Sequence, residues 1–179
     1  MPFSWNADCA RAFQELKNFL SNAPILRHYQ ADRPTKVETD ASDGVVAGVL
    51  SQQQDDGLWH PIGFYSKSMS APEKNYEIHD KEMLAVVRAL EEWRPELEGL
   101  QRQDRFDIFT DHKALEYFMT TKKLNARQAR WADFLSRFHF RIRYRPGKEN
   151  TLADALSRPE TSTSRNDYRM QTLLKPEMV

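Results

Sequence analysis

Four acidic residues stand where short patterned runs of the sequence begin or end: Asp40, Glu82, Asp111 and Asp154. Carboxylates brought to one place from separate elements can hold two Mg²⁺ ions. Each ion takes hard oxygen ligands in near-octahedral order and keeps positions open for water and a substrate phosphate. Taken singly, each acid is also explained as a cap, a turn residue or a solvated edge, and the chain has 26 acidic residues to draw on. The elements that carry the four therefore decide between these readings.

Asp40 ends a predicted strand over about 35–41, in which Lys36-Val37-Glu38-Thr39 alternates polar and apolar. Asp43-Gly44 turns the chain, and GVVAGVLSQQ (44–53) returns as a second strand, with Gly48 marking a bulge or a close approach. Gln54-Asp55-Asp56-Gly57 turns into a third strand over about 58–67. Glu82 belongs to a long helix over about 74–93 that Ser70-Ala71-Pro72 opens. Met83, Val86, Val87, Leu90 and Trp93 form its apolar stripe, and Glu82 lies one position off that stripe. Pro95 ends or kinks this helix. Asp111 closes a fourth strand, Phe106 to Asp111. A strand that follows a long helix joins the sheet parallel to the first by a right-handed crossover, which puts Asp40 and Asp111 at the same carboxyl-terminal edge.

A short helix is predicted over His112 to Met119 and another over about 126–138, capped by Asn125 and faced with Trp131, Phe134, Leu135 and Phe138. Phe138 to Arg145 reads as a fifth strand. Pro146-Gly147 turns, and Asn150 or Thr151 caps a short helix with Asp154 in its first turn and Ser157-Arg158-Pro159 at its end. Upstream, residues 6–22 form a helix that Asn6 or Asp8 can cap, with Phe13, Leu16 and Leu20 in register.

The net charge is zero, so any attraction for nucleic acid must be local. One region supplies it. Lys122, Lys123, Arg127, Arg130, Arg137, Arg141, Arg143, Arg145 and Lys148 crowd together, with Asp133 and Glu149 as the only opposition. Arg141, Arg143 and Arg145 share one face of the fifth strand, opposite Ile142 and Tyr144. The stripe fits phosphate contacts that position a duplex without reading its sequence, and its plainer reading is a solvated charged face. Cys9 is the only cysteine, which excludes an intrachain disulfide and a thiolate cluster. No apolar run reaches the roughly 18 residues of a membrane span, and MPFSWNADC is not a signal peptide, so an intracellular, non-secreted chain without a membrane partner is expected. No Gly-rich phosphate loop and no Tyr-x-Asp-Asp polymerase signature occurs.

The wording around the four acids is specific. TDASDGVVAGVLSQ, NYEIHDKEMLAVVRALEEW, FDIFTDHKALEYF and RYRPGKENTLADALSRP resemble, in order and spacing, the blocks of the ribonuclease H domain in gypsy-type LTR-retrotransposon reverse transcriptase polyproteins, over about Phe3 to Pro159. The resemblance implies an α/β fold with a ribonuclease H-like mixed five-stranded sheet, order 3-2-1-4-5 with strand 2 antiparallel, flanked by helices. It implies a helical end of the reverse transcriptase connection region at 1–33, the ribonuclease H-like domain at 34–159 and a flexible tail at 160–179.

The resemblance further implies that Asp40, Glu82, Asp111 and Asp154 are the catalytic carboxylates and hold two Mg²⁺ ions, with Mn²⁺ as a substitute. The reaction would be hydrolysis of the RNA strand of an RNA/DNA hybrid to 5′-phosphate and 3′-hydroxyl ends. Partners would be the hybrid and the polymerase and connection domains of the same polyprotein, in a cytoplasmic virus-like particle or the nucleus. Lys123, Arg127, Arg130, Arg143, Arg145 and Lys148 are the candidate nucleic-acid contacts. Many ribonucleases H carry a His before the last helix, where this chain has Tyr144-Arg145-Pro146. Tyr144 is therefore a candidate auxiliary or a plain strand aromatic, and His112 of the Thr-Asp-His block reads as structural support. The alternative is a catalytically silent module of the same fold that serves nucleic-acid binding or reverse transcriptase assembly.

Overall fold

The computed structural model describes residues 5–22, 26–42, 44–98, 100, 105–120 and 123–158. The expected tail at 160–179 and Lys122 lie outside the described residues. The elements are α1 (Ala7–Asn22), β1 (Thr35–Ser42), β2 (Val45–Gln53), β3 (Trp59–Ser68), α2 (Ala71–Lys74), α3 (Ile78–Glu92), α4 (Arg94–Leu97), β4 (Phe106–Thr110), α5 (Ala126–Leu135), β5 (Phe140–Tyr144) and α6 (Thr151–Ser157), with 3₁₀ segments at Lys113–Thr120 and Gly147–Glu149.

The five strands form one sheet in the order β3-β2-β1-β4-β5. β2 runs antiparallel to both β1 and β3, whereas β4 runs parallel to β1 and β5 parallel to β4. This is the order and sense expected from the motifs. The parallel pairing is what aligns the ends of β1 and β4.

Strand alternation sorts the sheet into two faces. Val37, Leu50, Ile108 and Ile142 point to one face and pack with Met83, Val86, Leu90 and Trp93 from α3 and its end. Burying each such aliphatic side chain contributes about 1.5–3 kcal/mol, so α3 is fixed to the sheet chiefly by this face. Gly48 is the close approach that the sequence left open. A Cβ there would lie 3.2 Å from Ala89 Cβ and 3.3 Å from the Trp93 ring. The register irregularity of the β2–β3 pair falls instead at Leu50 and Ser51, which face Gly63 and Pro61, so the extra residue is Ile62 of β3. On the other side of the sheet, α6 packs against β1 and β2.

Several boundaries differ from the sequence reading. The helix expected over 74–93 is two helices, because Glu77 is extended (φ −65°, ψ 156°) and restarts the helix at Ile78. The break lets Tyr76 pack beside Met69, Ala41 and Leu84 and stack edge-on with Trp131 at 6.2 Å. The helix expected to reach 138 ends at Leu135, and the fifth strand begins at Phe140 and ends at Tyr144. Phe138 instead fills the intervening turn, with its side chain in the core.

In α1, Asn6 is the cap, its Oδ1 accepting from Cys9 N–H at 2.9 Å. Phe13 meets Trp5 edge-on at 5.8 Å, and Phe13 and Leu16 both stay more than half exposed. Residues 27–30 are tied to the sheet by Arg27 N–H donating to the Pro61 carbonyl and by Gln52, which bonds both the N–H and the C=O of Gln30. Among the described residues no helix is long and apolar enough to cross a membrane.

Candidate metal centre

Asp40 lies in β1 opposite Ala47 of β2, and Asp111 is the first residue past the end of β4. Both therefore stand at the carboxyl-terminal edge of the parallel pair. Glu82 is in the second turn of α3, and the packing of Met83 and Val86 aims it at that edge. One carboxylate oxygen from each of Asp40, Glu82 and Asp111 can be chosen so that all lie within 4.8 Å of one another. Asp40 and Glu82 are buried, and Asp111 is the most accessible of the three.

The electrostatics follow from this crowding. Glu82 is pushed up to about 9, first by burial and then by repulsion from Asp40 and Asp111, against the Ala41 backbone amide that hydrogen bonds it. Asp40 is raised as well. Burial is the main cause, Asp111 and Asp154 add repulsion, and the Ser157 hydroxyl and the Arg158 charge oppose it. Glu82 Oε2 is buried with no hydrogen-bond partner. Three hard oxygen donors, one of them orphaned, fit a divalent cation that prefers oxygen, because it would relieve the repulsion and satisfy the unpaired atom.

Asp154 sits apart from the three. It lies in the first turn of α6, and its Oδ1 accepts from Arg158 Nε at 2.8 Å, with Arg158 Nη2 also at 2.8 Å. Its charge nonetheless reaches Asp40. The structure thus brings together three of the four predicted ligands and places the fourth beside them, ion-paired to its own helix.

Three residues of the site were not singled out in the sequence. Asn150, fully buried, precedes α6, yet its side chain does not cap the helix. Its Nδ2 donates instead to the Thr39 carbonyl at 2.9 Å, one residue before Asp40. Ser157 Oγ donates to Asp40 Oδ2 and lies 3.0 Å from the Asp154 carbonyl. Gly147 abuts Asp111, since a Cβ there would lie 3.2 Å from Asp111 Oδ2. All three fall within the RYRPGKENTLADALSRP block, where they read as a cap, a helix end and a turn.

The basic region is more opposed than its sequence indicates. Asp107 takes Arg141 at 2.9 Å and Arg143 at 3.1 Å. Arg145 pairs with the buried Glu38 and stacks 3.7 Å over the Phe109 ring. Arg127 pairs with the buried Asp80 and stacks 3.8 Å over Tyr76. Asp133 and Glu149 are thus not the only opposing acids. Asp107, Glu38 and Asp80 come from distant parts of the chain, which a local reading cannot see. Lys123, Arg130 and Lys148 are exposed. Tyr144 is exposed at the end of β5, and its N–H donates to Glu116 Oε1 at 2.8 Å. His112 follows Asp111, its N–H 3.3 Å from Thr110 Oγ1 and its carbonyl accepting from Leu115 N–H. The main chain of His112, not its ring, starts the 3₁₀ segment.

The sheet order, the shared strand edge and the carboxylate group together define a ribonuclease H-like α/β domain. The family described as the RNase H-like domain found in reverse transcriptase matches residues 30–138. The Tf2-3 and Tf2-4 transposon polyproteins of Schizosaccharomyces pombe are each 43% identical over 158 residues, 87% of this chain. The chain spans only 12% of the length of these relatives. The foamy viral protease-reverse transcriptase in complex with RNA/DNA hybrid superposes with a TM-score of 0.56 at 20% identity, over 90% of this chain and 21% of that one. LC11-RNase H1 in complex with RNA/DNA hybrid superposes at 0.52 with 15% identity, over 68% of this chain and 92% of that one. At these identities the structural likeness is one of fold. The chain belongs to the family of ribonuclease H-like domains of reverse transcriptases, on the gypsy-type LTR-retrotransposon branch.

Proposed function

We propose that this chain hydrolyses the RNA strand of RNA/DNA hybrids during retrotransposon reverse transcription, leaving 5′-phosphate and 3′-hydroxyl ends. The observation that carries the reading is the convergence of Asp40, Glu82 and Asp111 with a buried, unpartnered Glu82 oxygen. Asp40, Glu82 and Asp111 would hold divalent cations, Mg²⁺ by preference, and Asp154 would join them on leaving Arg158. Bound Mg²⁺ supplies an activated water and stabilises the leaving oxygen.

The protein's own groups do the rest. β1 and β4 fix two carboxylates on a rigid edge, and α3 brings the third from the face of the sheet that it covers. Asp111 is accessible enough to face a phosphate. Lys123, Arg130 and Lys148, all exposed, offer phosphate contacts along the duplex, and Arg143 adds to them where it leaves Asp107. Arg127 and Arg145 are held by buried acids and serve the fold before they serve a ligand. Discrimination of RNA from DNA would come from 2′-hydroxyl contacts in the shallow minor groove. The hybrid would be presented by the polymerase and connection domains of the same polyprotein, inside the cell.

A second reading, a silent module for hybrid binding or assembly, is favoured by one observation: Asp154 is paired to Arg158 and lies outside the close group. One experiment separates the two. The purified chain is incubated with labelled hybrid and Mg²⁺, beside Asp40→Asn and an EDTA control. Cleavage of the RNA strand alone, abolished by both controls, upholds the hydrolase. Hybrid binding without cleavage, with Mg²⁺ and with Mn²⁺, upholds the silent module.

A further inference from the structure

We propose that Ser157 is a positioning residue for Asp40, orienting that carboxylate as a metal ligand from the far helix α6; the inference rests on the metal-centre reading above. The sheet fixes the backbone and Cβ of Asp40, but the terminal torsion of an aspartate is broad and roughly two-fold, so its oxygens are not placed by the strand alone. The Ser157 hydroxyl donates to Asp40 Oδ2 and thereby sets the plane of the carboxylate. Ser157 is fully buried, so no bulk water replaces that donor if it is removed.

The hydroxyl carries a single proton and has two acceptors in reach, Asp40 Oδ2 and the Asp154 carbonyl at 3.0 Å. Ser157 is thus the point where the ligand on β1 meets the helix that carries Asp154. Two other bonds that hold α6 in place differ in kind. Asn150 reaches the Thr39 carbonyl and Ser66 Oγ reaches the Leu156 carbonyl at 2.9 Å, so both engage backbone alone. Hydrogen bonds to a metal-ligating side chain commonly decide its orientation, and their loss typically costs about 10- to 100-fold in metal affinity or activity.

The test compares Ser157→Ala with Ser66→Ala, which removes a hydroxyl bond to α6 without touching a carboxylate. Mn²⁺ and Mg²⁺ affinities are measured by calorimetry and thermal midpoints by melting. The expected result is metal affinity about tenfold weaker in Ser157→Ala and unchanged in Ser66→Ala. Equal affinity in wild type and Ser157→Ala, with a fall in midpoint like that of Ser66→Ala, would mean a plain tether and overturns the proposal. If Ser157→Ala does not melt cooperatively, Ser157→Cys, which keeps the bulk and weakens the donor, carries the same comparison: weakened affinity upholds positioning and wild-type affinity overturns it. The readout is separate from cleavage. A wild type that binds metal through Asp40 yet never cuts hybrid sinks the hydrolase and leaves the positioning role testable by affinity. A wild type that cuts, with Ser157→Ala binding metal equally well, sinks the positioning role alone. A wild type that binds no divalent cation overturns both.

Discussion

Arg127 and Asp80 form an ion pair that joins α5 to the first turn of α3, two residues before Glu82. Asp80 is buried and also accepts from Gln128 Nε2 at 2.8 Å, while the Arg127 guanidinium stacks over Tyr76. Removing Arg127 would leave the buried Asp80 with Gln128 and, at 3.5 Å, His79 as its side-chain partners and no permanently charged one. Breaking a buried pair costs about 3–5 kcal/mol, and the partial exposure of Arg127 lowers this to about 2 kcal/mol. Arg127→Ala should therefore lower the urea midpoint clearly. Arg130→Ala, on the exposed side of the same helix, should leave stability within about 0.5 kcal/mol and weaken hybrid binding with a shallower salt dependence. If Arg127→Ala melts like wild type and only loses hybrid affinity, Arg127 is a phosphate contact and the clamp is wrong.

The metal-free chain should lose stability as pH rises. The folded-state value of Glu82, about 9, lies above its ordinary 4.5, so between these values the native state holds a proton that the unfolded chain has released. Stability falls with pH wherever the native state binds more protons, which sets the window at about 4.5 to 9, and Asp40 adds to the same slope. A divalent cation compensates the charge, so the midpoint gain on adding Mg²⁺ should be larger at about pH 8 than at about pH 5.5. Glu82→Gln should flatten the metal-free slope and abolish most of the Mg²⁺ gain. Melting curves of both proteins against pH, with and without Mg²⁺, decide it, and a pH-independent Mg²⁺ gain would contradict the assignment.

Much of this was legible in the chain. The alternation around Val37, Ile108 and Ile142, together with a long helix between the first and fourth strands, was enough to place Asp40 and Asp111 at one edge. The stripe of α3 placed Glu82 near the sheet. What stayed hidden involved partners far apart in sequence. Arg145 finds Glu38, Arg127 finds Asp80, and Ser157 finds Asp40 across 117 residues. Periodicity reports which face a residue takes and says nothing of which distant side chain meets it there. Asn150 does take the N-cap position that the capping rule offered it, but its amide is spent on the Thr39 carbonyl and not on the helix, for the same reason.

Gly147→Ala tests how tightly the turn before α6 shapes the site. The added methyl would lie 3.2 Å from Asp111 Oδ2, so either the turn or the carboxylate must give by a few tenths of an ångström. Gly147 is not among the positive-φ glycines, Gly44 and Gly57, so the strain is one of contact and not of backbone. Displacements of this size at a reacting centre are costly, and a loss of about tenfold or more in cleavage is expected with the thermal midpoint nearly unchanged. A cleavage rate at the wild-type level would show that Asp111 tolerates the shift.

Arg158 should act as an internal competitor of the cation. It holds Asp154 at 2.8 Å and its charge also reaches Asp40, so it offsets part of the negative field that would draw a divalent ion. Arg158→Ala should therefore lower the Mg²⁺ concentration at half-maximal cleavage. The Arg158 side chain is two-thirds exposed, so the effect is screened. It should amount to about two- to threefold at low ionic strength and vanish when salt shortens the Debye length to about 3 Å. Titrating Mg²⁺ at two salt concentrations measures it. A higher Mg²⁺ requirement in the variant would point the other way, to an arginine that helps hold the hybrid or α6 and leaves Asp154 for the metal unaided.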